Sequence, residues 1–198
     1  MKTPKAKILL QPGFPELEEL FLGAGLDFDM LDERNCPSEP SRYSLIVLHK
    51  SLRGESSPLL LRYVILGGGL LALNSALEAT SPDIAKLLGA RAVHRLGRCE
   101  YDCIITNPKH PAMRGAGGFS VTAQPYQFEF NTIRPGPPQP RKSLLFEYRY
   151  NNTVGTGAWE QSFGLGRVAC CGMAELPNSA LARLLLNMAR WAGGISIA

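Results

Sequence analysis

The segment from Gly67 to Ala76 constrains the fold of this chain more than any other stretch. Three consecutive glycines end a helical pattern, the four apolar residues 70–73 form a short buried strand, and Asn74 begins a sharp strand-to-helix turn. In open α/β sheets, turns of this kind lie at the carboxyl edge of the parallel strands, where ligands bind. The segment therefore predicts a parallel sheet with a candidate binding position at Asn74.

Strand and helix patterns alternate on both sides of this segment, as in parallel α/β proteins. Short uninterrupted apolar runs indicate strands that are buried on both faces, whereas residues 26–31 alternate between apolar and acidic and indicate an edge strand. Ser81 and Gly89 have the positions of an N-cap and a C-terminal stop around a short helix. In this half, the patterns predict strands at 6–10, 26–31, 45–48 and 70–73 and helices at 16–22, 59–66 and 81–88.

The second half of the chain has a different pattern. Several strand-like runs follow one another and are separated by turn residues, which indicates antiparallel additions to the sheet. The proline-rich stretch 135–140 is interpreted as a polyproline connector between strands, with docking to an SH3-like groove as the alternative. A closing helix from Asn178 places apolar side chains on one stripe and Arg183, Asn187 and Arg190 on the other. The predicted strands cover 103–106, 127–130, 144–150, 158–163 and 167–171.

Length and composition indicate one α/β domain over residues 1–198. The chain is 45% apolar and 19% charged, which provides enough apolar surface for a core. No run approaches the roughly 18 uninterrupted apolar residues of a membrane span, and the apolar run at residues 8–10 is too short for a signal peptide. We therefore expect a soluble cytoplasmic protein that does not interact with a membrane.

Charge and cysteine content argue against several other classes of function. The net charge of +4 forms no block, and the basic residues Lys86, Arg91, Arg95 and Arg98 lack interleaved aromatic residues. We therefore expect a solvated basic face and no nucleic-acid partner. The five cysteines have neither the spacing of zinc ligands nor the even number of a disulfide framework. They are predicted to be reduced, mostly buried thiols, and no cofactor is expected.

Several short motifs follow one another in order over residues 64–194. They are GGGLLALNSA at 67–76, LLG at 87–89, His110-Pro111 with Gly115 and Phe119, PYQF at 125–128, Trp159, and FGLGRV at 163–168. Together they resemble the ThuA-like family, the trehalose-utilisation proteins. The resemblance implies a flavodoxin-like, class I glutamine amidotransferase-like fold. This fold is a three-layer α/β sandwich with a mainly parallel central sheet, and the family implies a connection with sugar metabolism.

The sequence departs from the family at three polar positions. Family members usually have a histidine where this chain has Asn74, an acidic pair where it has Ala123 and Gln124, and a Gly-His step where it has Gly172 and Met173. In glutamine amidotransferases a cysteine nucleophile stands at the position of Asn74, and an amide cannot form their thioester. The side chains that this chain has at the three positions cannot shuttle protons, so we expect weak or no catalysis.

The candidate ligand-binding residues are predicted to meet at the carboxyl edge of the sheet. His49 ends one strand and His110 follows another, and the alternative is that each only fixes a strand end or a turn. Arg167 pairs either with an anionic ligand or with Glu160. Tyr126, Phe128 and Trp159 form either an aromatic floor for a sugar or part of the core. The predicted ligand contacts are Asn74, His49, His110, Tyr126 and Arg167.

Two functions from different classes are compatible with the sequence. The first is binding of a small, sugar-like molecule at the carboxyl edge, with weak or no catalysis. The second is a non-catalytic interaction module on an amidotransferase-like scaffold. A homodimer would cover the edge strands of such a sheet. Spacing along the chain neither supports nor excludes a metal held by His49, His110 and an acid.

Overall fold

The computed structural model describes residues 7–31, 39–52, 56–78, 81–130 and 142–195. The first half alternates strands and helices as expected from its apolar runs. Its elements are β1 (Ile8–Leu10), α1 (Pro15–Gly23), β2 (Phe28–Met30), β3 (Leu45–Leu48), α2 (Ser57–Ile65), β4 (Gly69–Leu73), α3 (Pro82–Leu88) and β5 (Ala90–Arg95).

The second half is dominated by strands and ends in the longest helix of the described residues. Its elements are β6 (Cys99–Ile105), β7 (Phe119–Ala123), β8 (Tyr126–Phe130), β9 (Lys142–Tyr150), β10 (Thr153–Phe163), β11 (Gly166–Cys171) and α4 (Ser179–Ala192). Each strand that the sequence analysis places in this half is present, in most cases with a few additional residues at its ends.

One large sheet takes strands from both halves of the chain. Within the described residues, its order is β2-β1-β3-β4-β11-β10-β9-β6-β7. The strands from β2 to β11 run parallel to their neighbours, and those from β11 to β7 pair antiparallel. The predicted α/β fold, with a parallel centre and antiparallel additions from the second half, is therefore confirmed.

Helices cover both faces of the sheet, which gives three layers. Leu17 and Phe21 of α1 and the apolar stripe of α4 pack on one face. Tyr63 of α2 and Leu87 of α3 pack on the other face. The central strands β3 and β4 are buried along their whole length, which is why their sequences are uninterrupted apolar runs.

The helix ends follow the predicted capping chemistry. The Ser81 hydroxyl accepts a hydrogen bond from the Ile84 N–H at 3.2 Å, and α3 ends at Gly89, whose φ of 73° is left-handed. The Asn178 side chain accepts from the Leu181 N–H at 3.0 Å at the start of α4. These local signals set the ends of both helices.

Several expectations need correction. Strands β5 and β7 are absent from the sequence-based prediction, and β8 pairs with β5 in a separate two-stranded sheet instead of joining the large one. Asn187, expected on the polar stripe of α4, is buried and donates to the Arg114 carbonyl at 3.1 Å. The proline-rich stretch 135–140 and Cys36 lie outside the described residues.

Two further observations concern membrane spans and thiols. Among the described helices, none is long and apolar enough to cross a membrane. Cys103, Cys170 and Cys171 are buried and Cys99 is partly buried, and all four are free thiols. The expectation of reduced, mostly buried cysteines is thus confirmed for these positions.

Candidate functional site

The turn after β4 has the strained geometry that the sequence predicts. Asn74 has a φ of 46°, in the left-handed region that asparagine tolerates better than most side chains. It opens a short 3-10 helix, Asn74–Leu77, at the carboxyl end of the central strand. Asn74 therefore occupies the elbow position at the carboxyl edge of the sheet.

The Asn74 side chain is engaged by the main chain of Ala174. Its Nδ2 donates to the Ala174 carbonyl at 2.8 Å, and its Oδ1 accepts from the Ala174 N–H at 2.9 Å. These bonds connect the end of β4 to the segment after β11. The primary role of Asn74 in this geometry is to hold two neighbouring strand ends together.

His49 lies at the same edge and is also held by main-chain groups. Its Nε2 donates to the Pro12 carbonyl at 2.9 Å, and its own carbonyl accepts from the Ser75 hydroxyl at 2.9 Å. The ring packs at 5.5 Å from that of Phe14. Burial lowers the pKa of His49, so its neutral form is favoured. His49 thus ties the end of β3 to the β1 loop and the elbow.

Tyr126 is hydrogen-bonded to the Glu78 carboxylate at this edge. Its hydroxyl donates to Glu78 Oε1 at 2.5 Å, and the Arg95 guanidinium carbon lies 5.3 Å from its ring centroid. Burial and the bond to Glu78 raise the pKa of Tyr126 to about 12. Glu78 itself is exposed, directly after the elbow helix. The pair places a hydrogen-bond acceptor at the carboxyl edge of the sheet, and the part of this edge formed by Glu78, Glu175 and the residues paired with them is called the rim below.

A second carboxylate follows β11. Glu175 pairs with Arg98 at 3.4 Å, and both side chains are partly exposed. By contrast, Met173 and Ala123 are part of the apolar core, with 1% and 0% of their surface exposed. Two of the positions where family members usually carry proton-shuttling groups are therefore dry and apolar here.

His110 and Arg167 lie at the opposite edge, which corrects the expectation that the five residues converge. Three antiparallel pairings separate β6 from β11, which runs parallel to β4, so β6 runs opposite to β4. The chain leaving β6 therefore heads toward the amino edge. Arg167 pairs there with Gly69, the first residue of β4.

The surroundings of His110 and Arg167 form a second group of polar contacts. His110 Nδ1 accepts from the Ala112 N–H at 3.2 Å, and its Nε2 lies 3.8 Å from Glu160 Oε1. Arg167 Nη1 donates to the Trp191 carbonyl at 3.0 Å, and its guanidinium carbon is 5.6 Å from the Trp191 ring. The first of these bonds is the turn-fixing role that the sequence leaves open for His110.

Burial shifts the protonation of this second group. The Glu160 side chain is 12% exposed, and burial raises its pKa to about 7 although the Arg167 charge opposes the shift. Burial lowers the pKa of His110. Both groups therefore favour their neutral forms more than exposed side chains do.

The strand aromatics form core and not a ligand floor. Trp159 is fully buried, donates from Nε1 to the Leu88 carbonyl at 2.8 Å, and packs edge-on against Phe128 and Phe130. In the described part of the chain, no three histidine, cysteine or acidic side chains come together as metal ligands. His49 and His110 in particular lie at opposite edges.

Glu78 and Glu160 have contacts that their sequence positions do not predict. Glu78 follows Ser75 at the spacing of a capping box, yet the Ser75 hydroxyl bonds to the His49 carbonyl and Glu78 bonds to Tyr126. Glu160 lies within a buried strand. The available signal was a carboxylate directly after Trp159 within a predicted strand, because a buried acid requires a partner or a function.

Comparisons with known proteins agree with this architecture. No protein-family model and no curated protein matches the sequence. A ThuA-like protein from Parabacteroides merdae is 18% identical, with a TM-score of 0.72 over 99% of this chain and 92% of its own. One from Bacteroides uniformis is 17% identical, with a TM-score of 0.71 over 97% of this chain and 93% of its own.

Part of a much larger enzyme is similar as well. A β-galactosidase from Bacillus circulans sp. alkalophilus is 13% identical and has a TM-score of 0.71 over 97% of this chain, but over only 32% of its own. Sequence identities as low as these show that the fold is shared and nothing more. The chain therefore has the ThuA-like, amidotransferase-like fold that its motifs imply.

Proposed function

We propose that this protein binds a small, sugar-like molecule at the carboxyl edge of its sheet and catalyses little or no reaction there. The observation that supports this most is the Tyr126–Glu78 pair beside the elbow, with Arg95 against the tyrosine ring. Glu175 and Arg98 add a second carboxylate and a second cation. Carboxylates and guanidinium groups accept from and donate to the hydroxyls of a polyol.

The family's polar positions at this edge do not carry groups that transfer protons in this chain. Asn74 is bonded to Ala174 through both polar atoms, and the family's other polar positions hold buried Met173 and Ala123. Burial lowers the pKa of His49, and its Nε2 is bonded to the Pro12 carbonyl. A binding role therefore fits these residues better than acid–base chemistry.

The sugar class rests on the resemblance to the ThuA-like, trehalose-utilisation family, which implies a connection with trehalose or related sugars. One of the fold neighbours is a β-galactosidase. We extend this class to the present chain, and we place the protein in the cytoplasm. A homodimer through an exposed sheet edge is part of the same proposal, and light scattering of the purified protein tests it.

A titration with mono- and disaccharides, including trehalose, tests the proposal. A bound sugar must raise the melting temperature, and Glu78→Gln and Glu175→Gln are each expected to weaken binding at least about tenfold. The matched control is Glu129→Gln, which removes an exposed carboxylate paired with Arg91 on the small sheet. Sugar binding that both rim variants leave unchanged contradicts this location.

The interaction module is the second candidate, and a specific observation favours it. The polar atoms of Asn74 and the Nε2 of His49 already bond to main-chain groups, so they have limited capacity for a ligand. A folded protein whose melting temperature no sugar changes supports this candidate. Crosslinking through a photoreactive group at position 175 then identifies what contacts the rim.

A further inference from the structure

A cleft of about 710 Å³ opens at the amino edge of the sheet, far from the elbow. We infer that this cleft binds the phosphate group of a small phosphomonoester. It is called the basic cleft below and includes Lys109, Arg114, Arg167, Arg190 and Trp191. The inference is independent of the sugar site, because the two sites share no residue.

The basic cleft concentrates positive charge on a concave surface. Four cationic side chains line it, and no aspartate or glutamate is among its lining residues. Within the described residues, Lys109, Arg114 and Arg190 form no ion pair. Four like charges around one concavity repel one another, and a bound dianion removes this repulsion.

The arginines reach the cleft from three different parts of the fold. Arg167 is the second residue of β11, Arg190 lies in the last turn of α4, and Arg114 follows the short 3-10 helix Pro111–Met113. Donors that approach from separate directions suit a tetrahedral phosphate with three terminal oxygens better than a planar carboxylate with two. The placement therefore favours a phosphate ester over a simple carboxylic acid.

Arg167 is already oriented for such a contact. One of its terminal nitrogens donates to the Trp191 carbonyl at 3.0 Å, and its guanidinium carbon lies 5.6 Å from the indole centroid. The remaining N–H groups keep their donor capacity. Because the side chain is fixed before binding, less conformational entropy is lost when it contacts an anion.

A second part of the cleft lining, at His110, is also fixed. His110 accepts from the Ala112 N–H, and its ring packs edge-on against Trp191 at 5.0 Å. Glu160 lies 3.8 Å from His110, and burial raises the pKa of this acid to about 7. A partly protonated acid opposes an incoming anion less than a full carboxylate does.

The size of the cleft sets the size of the ligand. Pockets of roughly 300–1,000 Å³ hold small metabolites, and the Trp191 ring provides an apolar surface for the organic part of the ester. The cleft is confined to one edge of the sheet. A confined cleft suits one phosphate group better than the successive phosphates of a nucleic acid, which require an extended track.

Calorimetry of the full-length protein with glucose 6-phosphate and glycerol 3-phosphate tests the inference. Both are expected to bind, whereas glucose is expected not to bind this cleft. Arg114→Gln and Arg167→Gln are each expected to weaken binding of both esters at least about tenfold. Arg149→Gln on β9 removes the same charge from an exposed position outside the cleft, and it is expected to change binding less than about twofold.

Several outcomes would overturn the inference. These are no binding of either ester at millimolar concentration, equal losses in Arg114→Gln and Arg149→Gln, or succinate binding as tightly as the esters. Arg114 is the more informative position, because its side chain is exposed and Arg167 also contacts the main chain. Glu78→Gln separates the two sites, since it is expected to affect unphosphorylated sugars and leave the esters unchanged.

Discussion

Asn74 and Ala174 are joined by two hydrogen bonds although one hundred residues separate them in sequence. The amide side chain at the elbow therefore has a structural role. The bonds fix the carboxyl ends of β4 and β11 relative to each other. The rim carboxylates Glu78 and Glu175 follow these two strand ends, so their spacing depends on the same contact.

Replacing Asn74 by glycine separates its hydrogen bonds from its backbone conformation. Glycine adopts the φ of 46° without strain, so Asn74→Gly reports the lost bonds and is expected to lower the free energy of unfolding by about 1–3 kcal/mol. Asn151 has a similar φ of 51° in an exposed turn and is the matched control. Urea denaturation measures both, and equal effects at the two positions would refute the structural role of the Asn74 side chain.

The Tyr126–Glu78 bond is expected to contribute to stability as well as to the rim. Tyr126→Phe removes the donor at 2.5 Å and should cost about 1–2 kcal/mol, since an ionic acceptor strengthens the bond. In the Glu78→Gln background the same change should cost clearly less, and a double-mutant cycle of urea midpoints measures this coupling. Tyr150→Phe, at an exposed tyrosine, is the control. Additive effects of the two changes would show that the bond is not formed in solution.

The sequence was most informative where both faces of a strand are buried. All four residues of β3 and all five of β4 are buried, so their apolar runs could be recognised without knowledge of their neighbours. Strand β5 was missed because only Ala90 among its six residues is buried, and its charged side chains have no period that indicates a strand. Its partner β8, five residues on a separate small sheet, supplies the contacts that define it.

Strand direction was the information that the sequence did not contain. The sequence correctly predicts a turn at His110 after β6. Whether this turn lies at the amino or the carboxyl edge of the sheet depends on three successive antiparallel pairings. Each pairing is a long-range contact that no local pattern specifies. The predicted five-residue cluster is therefore divided, with His49, Asn74 and Tyr126 at one edge and His110 and Arg167 at the other.

The buried thiols are expected to be inert in the folded protein. Burial raises the pKa of Cys103 and Cys171 to about 12 and also raises that of Cys170, so little thiolate exists at neutral pH. In a Cys36→Ser variant, an aromatic disulfide reagent should therefore modify only the partly buried Cys99 before unfolding. Adding Cys99→Ser to this variant should abolish the reaction of the reagent with the folded protein. Rapid modification of a further thiol would contradict the burial of these three side chains.

Glu160 should make stability depend on pH in the direction opposite to that of most carboxylates. Its pKa is raised from 4.5 to about 7 in the folded state, so the folded protein binds more protons than the unfolded chain between these values. The free energy of unfolding should therefore fall as pH rises through about 7. His110 has the opposite effect at lower pH, because its lowered pKa makes protonation costly below about 6.5.

The variant Glu160→Gln isolates the contribution of the acid. The amide has nearly the same shape and no charge, so the variant should be more stable than the wild type by about 1–3 kcal/mol near pH 8 and nearly equal to it near pH 5. Glu129→Gln, at an exposed acid, should change stability by less than about 1 kcal/mol at either pH. Urea denaturation at the two pH values measures the difference. A stability difference between Glu160→Gln and the wild type that has the same size at both pH values would contradict the raised pKa. It would mean that the Glu160 carboxyl is already ionised at about pH 5 in the folded protein and carries a full charge next to His110 of the basic cleft.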